Sequence, residues 1–218
     1  MTANTPINLW TSTDHAHQYL ERADALSHRG EADSALLEFI PNTARRILDL
    51  GTGDGRLLAL LKLALLNDGV HETEAIALDF SPAMIEAARK RFAGDSSVTV
   101  VTHNLDRRLP ALGKFDAVIS SIAIHHVVHE RKRELYTEVH GLLNPGGVFC
   151  NLEHVASPTP RLHEEFLKRI GFTVETEDPS NKLLDVETQL QWLREIGFVD
   201  VDCHWKWREL ALLGGRIS

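Results

Sequence analysis

Two aspartates and three alternating glycines are the residues whose types and spacing indicate chemistry most directly. Asp49 lies in a short apolar run, and Gly51, Gly53 and Gly55 follow before a leucine-rich segment. Glycines between a strand and a helix let the backbone approach a ligand, because no Cβ stands in the way. The amino terminus of the following helix favours an anionic group. Asp79 closes a second apolar run, where a carboxylate can accept strong hydrogen bonds from hydroxyl groups.

The glycine spacing argues against two phosphate-binding motifs. A dinucleotide fingerprint, GxGxxG, would need its third glycine at the position of Arg56. A Walker loop would need GK[ST], which does not follow these glycines. We therefore expect no pyrophosphate cradle, and we expect Arg56 to lie exposed on the first turn of the next helix.

Histidines form a second cluster with possible chemistry. Twelve are present, and His125, His126 and His129 fall within five residues. They could bind a metal, but no carboxylate accompanies them before Glu130, so we predict no metal site. Because His125 and His126 are adjacent, their side chains should diverge, and at most one should enter a pocket.

Three residues are candidates for a proton acceptor: His126, His154 and Glu153. An imidazole can be neutral near pH 7 and accept a proton from a hydroxyl or ammonium group. We favour His126, because apolar Ile124 and Val127 alternate around the histidine pair, and we keep His154 as the reserve. For each candidate, the alternative is a hydrogen-bonded residue at the rim of the sheet.

Alternating strand-like and helix-like segments must position these residues. The predicted strands are "RILDLG", "EAIALDF", "SVTVVTHN", "FDAVISSIA", "GGVFCNLEHV", "VDVDCHWKW" and "ELALLGGRI". Their alternation with amphipathic segments predicts an α/β fold: a three-layer Rossmann-like sandwich with a seven-stranded, mostly parallel sheet. The last two strands predict a C-terminal antiparallel hairpin. Ser81 and Asp185 are the expected N-caps of two helices, and 171–184 reads as an irregular insertion.

Composition narrows the class of protein. A chain of 218 residues suits one domain. A formal net charge of -8 argues against nucleic acid as a partner. Cys150 and Cys203 form no CxxC motif, and the polar amino terminus has no secretory signal. With no apolar run of membrane-spanning length, we expect a cytoplasmic protein without a membrane partner.

The segment "LDLGTGDG" resembles motif I of the class I S-adenosylmethionine-dependent methyltransferases, and the resemblance covers roughly residues 44–218. It implies S-adenosyl-L-methionine as cofactor and a carboxylate, Asp79, on the ribose hydroxyls. It also implies that Asn104 accepts from the adenine amino group, with Asp106 as a rival. The cofactor-binding residues implied are Asp49, Gly51, Thr52, Gly53, Asp79, Phe80, Met84, Asn104, Leu105 and Ser120.

The resemblance also implies a division of the chain and a class of substrate. Residues 1–44 would be a helical lid, 45–155 the cofactor-binding core, and 156–218 a substrate-side region with the C-terminal hairpin, all in a single domain. The residues expected to reach the acceptor are Tyr19, Arg29, His125 and Glu153. The [ND]PP[YF] motif of the nucleic-acid amino branch is replaced by "SSIA", which favours a small-molecule acceptor. A homodimer is one oligomeric state that we consider.

Three other functions stay open at the level of sequence. The same cofactor could serve cyclisation or another group transfer. A nicotinamide-dependent dehydrogenase is disfavoured by Arg56 and by the absence of a YxxxK pair. A non-catalytic cofactor-binding module is the third.

Overall fold

The computed structural model describes residues 9–14, 16 and 28–218. Tyr19, which we predicted to reach the acceptor, lies outside the described residues. The helices are Arg29–Phe39 (α1), Arg56–Asn67 (α2), Pro82–Arg91 (α3), His129–Leu142 (α4), Pro160–Arg169 (α5) and Val186–Ile196 (α6). The strands are Arg46–Leu50 (β1), Glu74–Asp79 (β2), Val98–Thr102 (β3), Phe115–Ser121 (β4), Leu143–His154 (β5), Val199–Trp207 (β6) and Leu210–Arg216 (β7).

The seven strands of the described chain form one sheet in the order β3-β2-β1-β4-β5-β7-β6. The strands β1 to β5 pair in parallel, and β7 pairs antiparallel with both β5 and β6. This confirms the predicted mostly parallel sheet and its C-terminal hairpin. Strand order reverses between β1 and β4, which is where ligands bind in open α/β sheets, beyond the carboxyl ends of the strands.

Side chains that alternate along the central strands produce the layers. In β1, Ile47 packs into a core shared with helices α1 and α2, and Leu48 packs into a core shared with α4 and α6. Both side chains have no exposed surface. Burial on both faces explains why this strand reads as a continuous apolar run in the sequence.

The helix starts agree with the sequence in one case and differ in another. Asp185 caps α6, since its carboxylate accepts from the backbone N–H of Thr188 at 2.8 Å. Ser81 occupies the N-cap position of α3, but its side chain makes no capping bond. Its backbone N–H instead donates to Asp79, which closes the β2–α3 turn. None of the helices in the described part of the chain has the length and apolar character needed to cross a membrane.

Candidate functional site

An open cleft lies at the carboxyl ends of β1, β2 and β4, where the strand order reverses. Its empty volume is about 1050 Å³, including the mouth toward solvent. The lining residues are Trp10, Arg29, Asp49, Gly51, Thr52, Gly53, Asp54, Arg56, Leu57, Asp79, Phe80, Met84, His103, Asn104, Leu105, Asp106, Ser121, Ile122, Ala123, His126 and Val127. Most of the predicted cofactor residues are in this set.

The three alternating glycines all have left-handed backbone conformations, with φ of 68° at Gly51, 57° at Gly53 and 81° at Gly55. A Cβ at Gly51 would stand 2.2 Å from the Cβ of Ala123, and a Cβ at Gly55 would stand 2.4 Å from the Phe92 ring. At Gly53, the nearest atom to a Cβ would be a Met84 sulfur at 3.9 Å. Gly51 and Gly55 are therefore required for packing, whereas Gly53 is required for its backbone conformation beside the cleft.

Asp49 ties the glycine loop to β1. The Thr52 hydroxyl donates to the Asp49 carboxylate at 2.6 Å, and the backbone N–H of Thr52 donates to the carbonyl of Leu78 in β2. Burial raises the pKa of Asp49 to about 7, an effect that the Thr52 bond opposes and the nearby Asp79 charge reinforces. The carboxylate can therefore change its charge near neutral pH.

Asp79 holds the other side of the same loop. One of its oxygens accepts the backbone N–H of Gly53 at 2.9 Å, and the other accepts that of Ser81 at 2.9 Å. Burial raises the pKa of Asp79, and these backbone bonds oppose the rise. Each carboxylate oxygen has a second lone pair, so two hydroxyl groups could still bind to it.

Beyond Asp79, apolar and amide groups line the cleft. Phe80 lies in the turn between β2 and α3, Met84 lies in the first turn of α3, and Leu105 follows β3. The amide oxygen of Asn104 accepts the backbone N–H of Asp106 at 2.9 Å. Both Asn104 and Asp106 line the cleft, so both of the predicted hydrogen-bond acceptors reach it.

Ser120 is the predicted cofactor residue that the cleft lining does not include. It has no exposed surface, and its hydroxyl donates to the carbonyl of Leu50 at 2.8 Å. The next residue, Ser121, lines the cleft instead. Side chains of adjacent strand residues point to opposite faces of the sheet, so only one of these two neighbouring serines can reach the cleft.

Two arginines line the cleft near the glycine loop. Arg29 begins α1, as the prediction of a contact from the amino-terminal region requires. Our expectation that Arg56 lies exposed is wrong. Only 19% of its side chain is accessible, and it forms an ion pair with buried Asp33 at 2.7 Å. The position of Arg56 directly after the glycine loop was the available signal for a site residue, and its side chain points toward α1.

His126 is the one predicted proton acceptor among the cleft-lining residues. The Trp10 indole N–H donates to Nε2 of His126 at 2.9 Å, and Nδ1 lies 2.9 Å from the Ser180 hydroxyl. Burial, followed by the neighbouring His125, holds the pKa of His126 well below its ordinary value. A neutral imidazole therefore faces the cleft at neutral pH.

His125 and Glu153 are buried beneath the cleft and do not line it. Nδ1 of His125 lies 3.2 Å from a Glu153 oxygen, at an angle that makes no hydrogen bond. Glu153 has no exposed surface and also lies 3.8 Å from the Lys132 ammonium. Burial lowers the pKa of both His125 and Lys132. The rings of the adjacent histidines do not diverge as we expected, since their centroids lie 4.0 Å apart, but only His126 lines the cleft.

His154 also lies outside the lining. Its Nε2 is 2.9 Å from the carboxylate of Glu209, which has 1% exposed surface and lies in the turn between β6 and β7. Glu209 is also 3.1 Å from Nδ1 of His163 in α5. The structure thus gives His154 a buried partner at the rim of the sheet, which is the alternative that we considered for it.

The structure places beside His126 two side chains that the sequence did not single out as site residues. Trp10 comes from the amino-terminal region, and Ser180 from the 171–184 insertion, both of which we expected to wall the substrate. Neither belongs to a motif, so proximity to His126 could not be predicted. In the described chain, no three His, Cys, Asp or Glu side chains form a group able to hold a metal ion.

Comparison with known proteins places this architecture in a family. Residues 47–147 match the family described as "Methyltransferase domain". The chain is 33% identical over 178 residues to demethylmenaquinone methyltransferase of Clavibacter sepedonicus, covering 74% of this chain and 69% of that protein. It is also 26% identical over 148 residues to an uncharacterised methyltransferase of Oceanobacillus iheyensis, covering 67% and 65% of the two chains.

Solved structures share the fold. An O-methyltransferase family protein from Burkholderia thailandensis superposes with a TM-score of 0.71 at 21% identity, covering 96% of this chain and 61% of that one. Human N-acetylserotonin methyltransferase, solved with S-adenosylmethionine, gives a TM-score of 0.68 at 16% identity, covering 96% and 58%. The chain thus spans about three fifths of the length of these structures. From the family match, the relatives and the fold together, the chain belongs to the class I S-adenosylmethionine-dependent methyltransferases.

Proposed function

We propose that this chain transfers a methyl group from S-adenosylmethionine to a small-molecule acceptor bound beside His126. The observation that carries the proposal is the pair of buried carboxylates, Asp49 and Asp79, that hold the glycine loop open to the cleft. The relatives' names support it, since they refer to methyl transfer onto demethylmenaquinone and N-acetylserotonin. The net charge of -8 disfavours a nucleic-acid acceptor.

The residues present fit the cofactor. In what we term the cofactor half of the cleft, Asp49, Thr52, Gly53 and Asp79 form a cradle where left-handed Gly53 presents no side chain. Asp79 would take the ribose hydroxyls with its remaining lone pairs. Phe80, Met84 and Leu105 would pack on the adenine, and Asn104 or Asp106 would accept from its amino group. Arg29 and Arg56 would face the carboxylate of the methionine portion.

When bound, the cofactor supplies a methyl group on a positively charged sulfur, which is already a good leaving group. The chain's own residues then have to align the acceptor and exclude water. What we term the acceptor half consists of Trp10 and His126, which line the cleft, and of Ser180, which contacts His126 from outside the lining. His126 would hold or accept a proton at Nε2, if the acceptor brings one.

Other features remain our proposals. They are the division into a lid at 1–44, a cofactor core at 45–155 and a substrate-side region at 156–218, a cytoplasmic location, and the absence of membrane and nucleic-acid partners. A homodimer would be recognised by light scattering of the purified chain.

Calorimetry and mass spectrometry test the proposal. We expect roughly micromolar binding of S-adenosylmethionine and of its demethylated product, a range typical of substrate sites. NADH, at the same concentrations, should give no comparable heat. Turnover against a metabolite panel should yield acceptors heavier by one methyl group in place of a hydrogen. Stronger binding of NADH, or cleavage of the cofactor to a thioether that keeps its methyl group, would contradict it.

A further inference from the structure

His126 is held by two side chains from distant parts of the chain. Trp10 reaches it from the amino-terminal region and is half-buried against Ala83 and Met84 of α3. Ser180 reaches it from the insertion between α5 and α6, and is only 6% exposed. Both ring nitrogens of His126 therefore have a side-chain partner at 2.9 Å.

The chemistry of these partners fixes which nitrogen carries the proton. An indole N–H can only donate, so Nε2 of His126 must offer a lone pair to Trp10. A neutral imidazole then has its proton on Nδ1, where it can donate to the Ser180 hydroxyl oxygen. The tautomer follows from the donor and acceptor inventory alone.

We propose that Trp10 is a positioning residue that keeps Nε2 of His126 bare and its proton on Nδ1, where the Ser180 hydroxyl accepts it, so that Nε2 is the proton acceptor. We further infer that the nucleophilic O–H of the methyl acceptor replaces the Trp10 indole N–H on Nε2. The second half of this inference rests on the proposed methyl transfer. Because the displaced group is a flat aromatic ring with an N–H, an aromatic hydroxyl compound fits the vacated space.

The proton step balances on the residues present. The acceptor O–H breaks, its electron pair stays on oxygen, and the proton bonds to Nε2. His126 becomes an imidazolium that still donates from Nδ1 to Ser180, and it returns the Nε2 proton to water after turnover. An acceptor with no O–H or N–H on its nucleophilic atom would gain nothing from this arrangement.

The charged groups around His126 permit this role. His125 lies in the same short turn, Asp178 lies in the insertion, and Glu153 lies in β5. Burial and His125 lower the pKa of His126, while Asp178 and Glu153 oppose that effect. Donation from Trp10 stabilises the bare Nε2 further. Nε2 therefore stays unprotonated until a bound group transfers a proton to it.

The Ser180 hydroxyl can be removed without releasing the insertion. The backbone N–H of Ser180 donates to Asp178 at 2.8 Å, and the backbone N–H of Lys182 donates to the carbonyl of His125 at 2.7 Å. The Lys182 ammonium also donates to the Ser180 carbonyl at 3.0 Å. None of these bonds uses the hydroxyl, so Ser180→Ala should keep the local backbone.

Nitrogen NMR of the full chain, labelled with ¹⁵N-histidine, reads the tautomer without acceptor or cofactor. His126→Gln identifies the resonances. We expect protonated Nδ1 and bare Nε2 in the wild type and in Ser180→Ala, which keeps the Trp10 indole N–H. In Trp10→Phe, no N–H holds Nε2 bare and the Ser180 hydroxyl can donate to Nδ1 as well as accept from it, so a protonated Nε2 should appear. An Nε2 that stays wholly bare in Trp10→Phe, or becomes protonated in Ser180→Ala, would overturn the role of Trp10.

Phenol and anisole test the replacement of Trp10, since only phenol has an O–H. With the demethylated cofactor present, millimolar phenol should shift the Trp10 indole N–H and the His126 Nε2 resonances, and anisole should not. Equal shifts with anisole, or none with phenol, would overturn the replacement. Cofactor binding by calorimetry is measured on the same samples, so a failure of the proposed function is seen separately.

Discussion

The cofactor half and the acceptor half of the cleft are held together by different kinds of contact. In the cofactor half, the Asp79 carboxylate accepts backbone N–H groups from the loops that directly follow β1 and β2, and Asp49 accepts the hydroxyl of Thr52, three residues away. In the acceptor half, side chains bond to side chains across long stretches of sequence. Trp10 is 116 residues from His126, and Ser180 is 54 residues from it.

This difference shows that the sheet itself positions the cofactor half, whereas two distant segments position the acceptor half. The cofactor half is complete once the parallel strands align, because each of its carboxylates sits at a strand end. The acceptor half is complete only when Trp10 and Ser180 both reach His126, which follows β4. We infer that substitutions in these two segments change the acceptor half while leaving cofactor binding intact.

The largest expected effect is in the cofactor half, at Gly53. Gly53→Val should abolish cofactor binding, because a β-branched residue at a φ of 57° strains the loop and places atoms in the cradle. Gly69→Val is the matched control, since Gly69 has a φ of 86° and nothing within 4 Å of a Cβ. Both variants should lose about 1–2 kcal/mol of stability. Calorimetry should find binding lost in Gly53→Val alone, and full binding there would refute the cradle.

The next effect concerns the acceptor half, at His126. His126→Ala should lower turnover by about 100-fold or more, the usual weight of acid-base catalysis, with cofactor affinity unchanged. The base works when neutral, above its pKa, so the acidic limb of the rate profile should disappear in the variant. An ordinary histidine would give that limb near pH 6 to 7. Since burial lowers the pKa of His126, we now expect the limb at lower pH.

His154→Ala supplies the comparison within the acceptor side. His154 pairs with buried Glu209, so its loss should lower thermal stability and leave turnover within a few-fold. Retained turnover in His126→Ala, with the acidic limb still present, would remove His126 as the base. A large loss in His154→Ala at unchanged stability would transfer the role to His154.

A smaller effect on affinity is expected at Asp79. Asp79→Ala should weaken cofactor binding by about 2–3 kcal/mol, because hydrogen bonds from the ribose hydroxyls to a charged group are lost. A carboxylate that only faced the cleft could be removed with little effect on folding. The structure instead shows that this variant orphans the backbone N–H groups of Gly53 and Ser81, so stability should fall as well.

Asp116→Ala separates these two consequences. Asp116 accepts the backbone N–H groups of Arg45 and Arg46 at 2.9 and 3.0 Å, but it lies outside the cleft lining. Thermal denaturation should show a loss of stability in both variants. Only Asp79→Ala should weaken cofactor binding in calorimetry, and equal affinities would make Asp79 a purely structural residue.

The same contrast explains how much could be predicted from the sequence. The sheet, the hairpin and the loop residues from Asp49 to Met84 follow from apolar periodicity and from motifs that are local in the chain. Ser121, one position after the predicted Ser120, is the serine that lines the cleft, because the strand face that meets the cleft depends on register. Trp10 and Ser180 could not be found, since their place beside His126 depends on packing between distant segments.

The smallest expected effect is a pH dependence of cofactor affinity that arises from Asp49. Its pKa of about 7 means that the carboxyl is neutral below this pH and negative above it. S-adenosylmethionine carries a positive sulfur that the demethylated product lacks, so its affinity relative to that product should rise a few-fold from pH 6 to pH 8, as Coulomb attraction at moderate effective dielectric allows. Binding should also release a fraction of a proton near pH 7, measurable by calorimetry in buffers of different ionisation enthalpy. Asp49→Asn keeps an oxygen for the Thr52 hydroxyl and removes the titration, so both the rise and the proton release should vanish. If they persist in Asp49→Asn, another group is responsible, and the loop carboxylate acts only as an anchor.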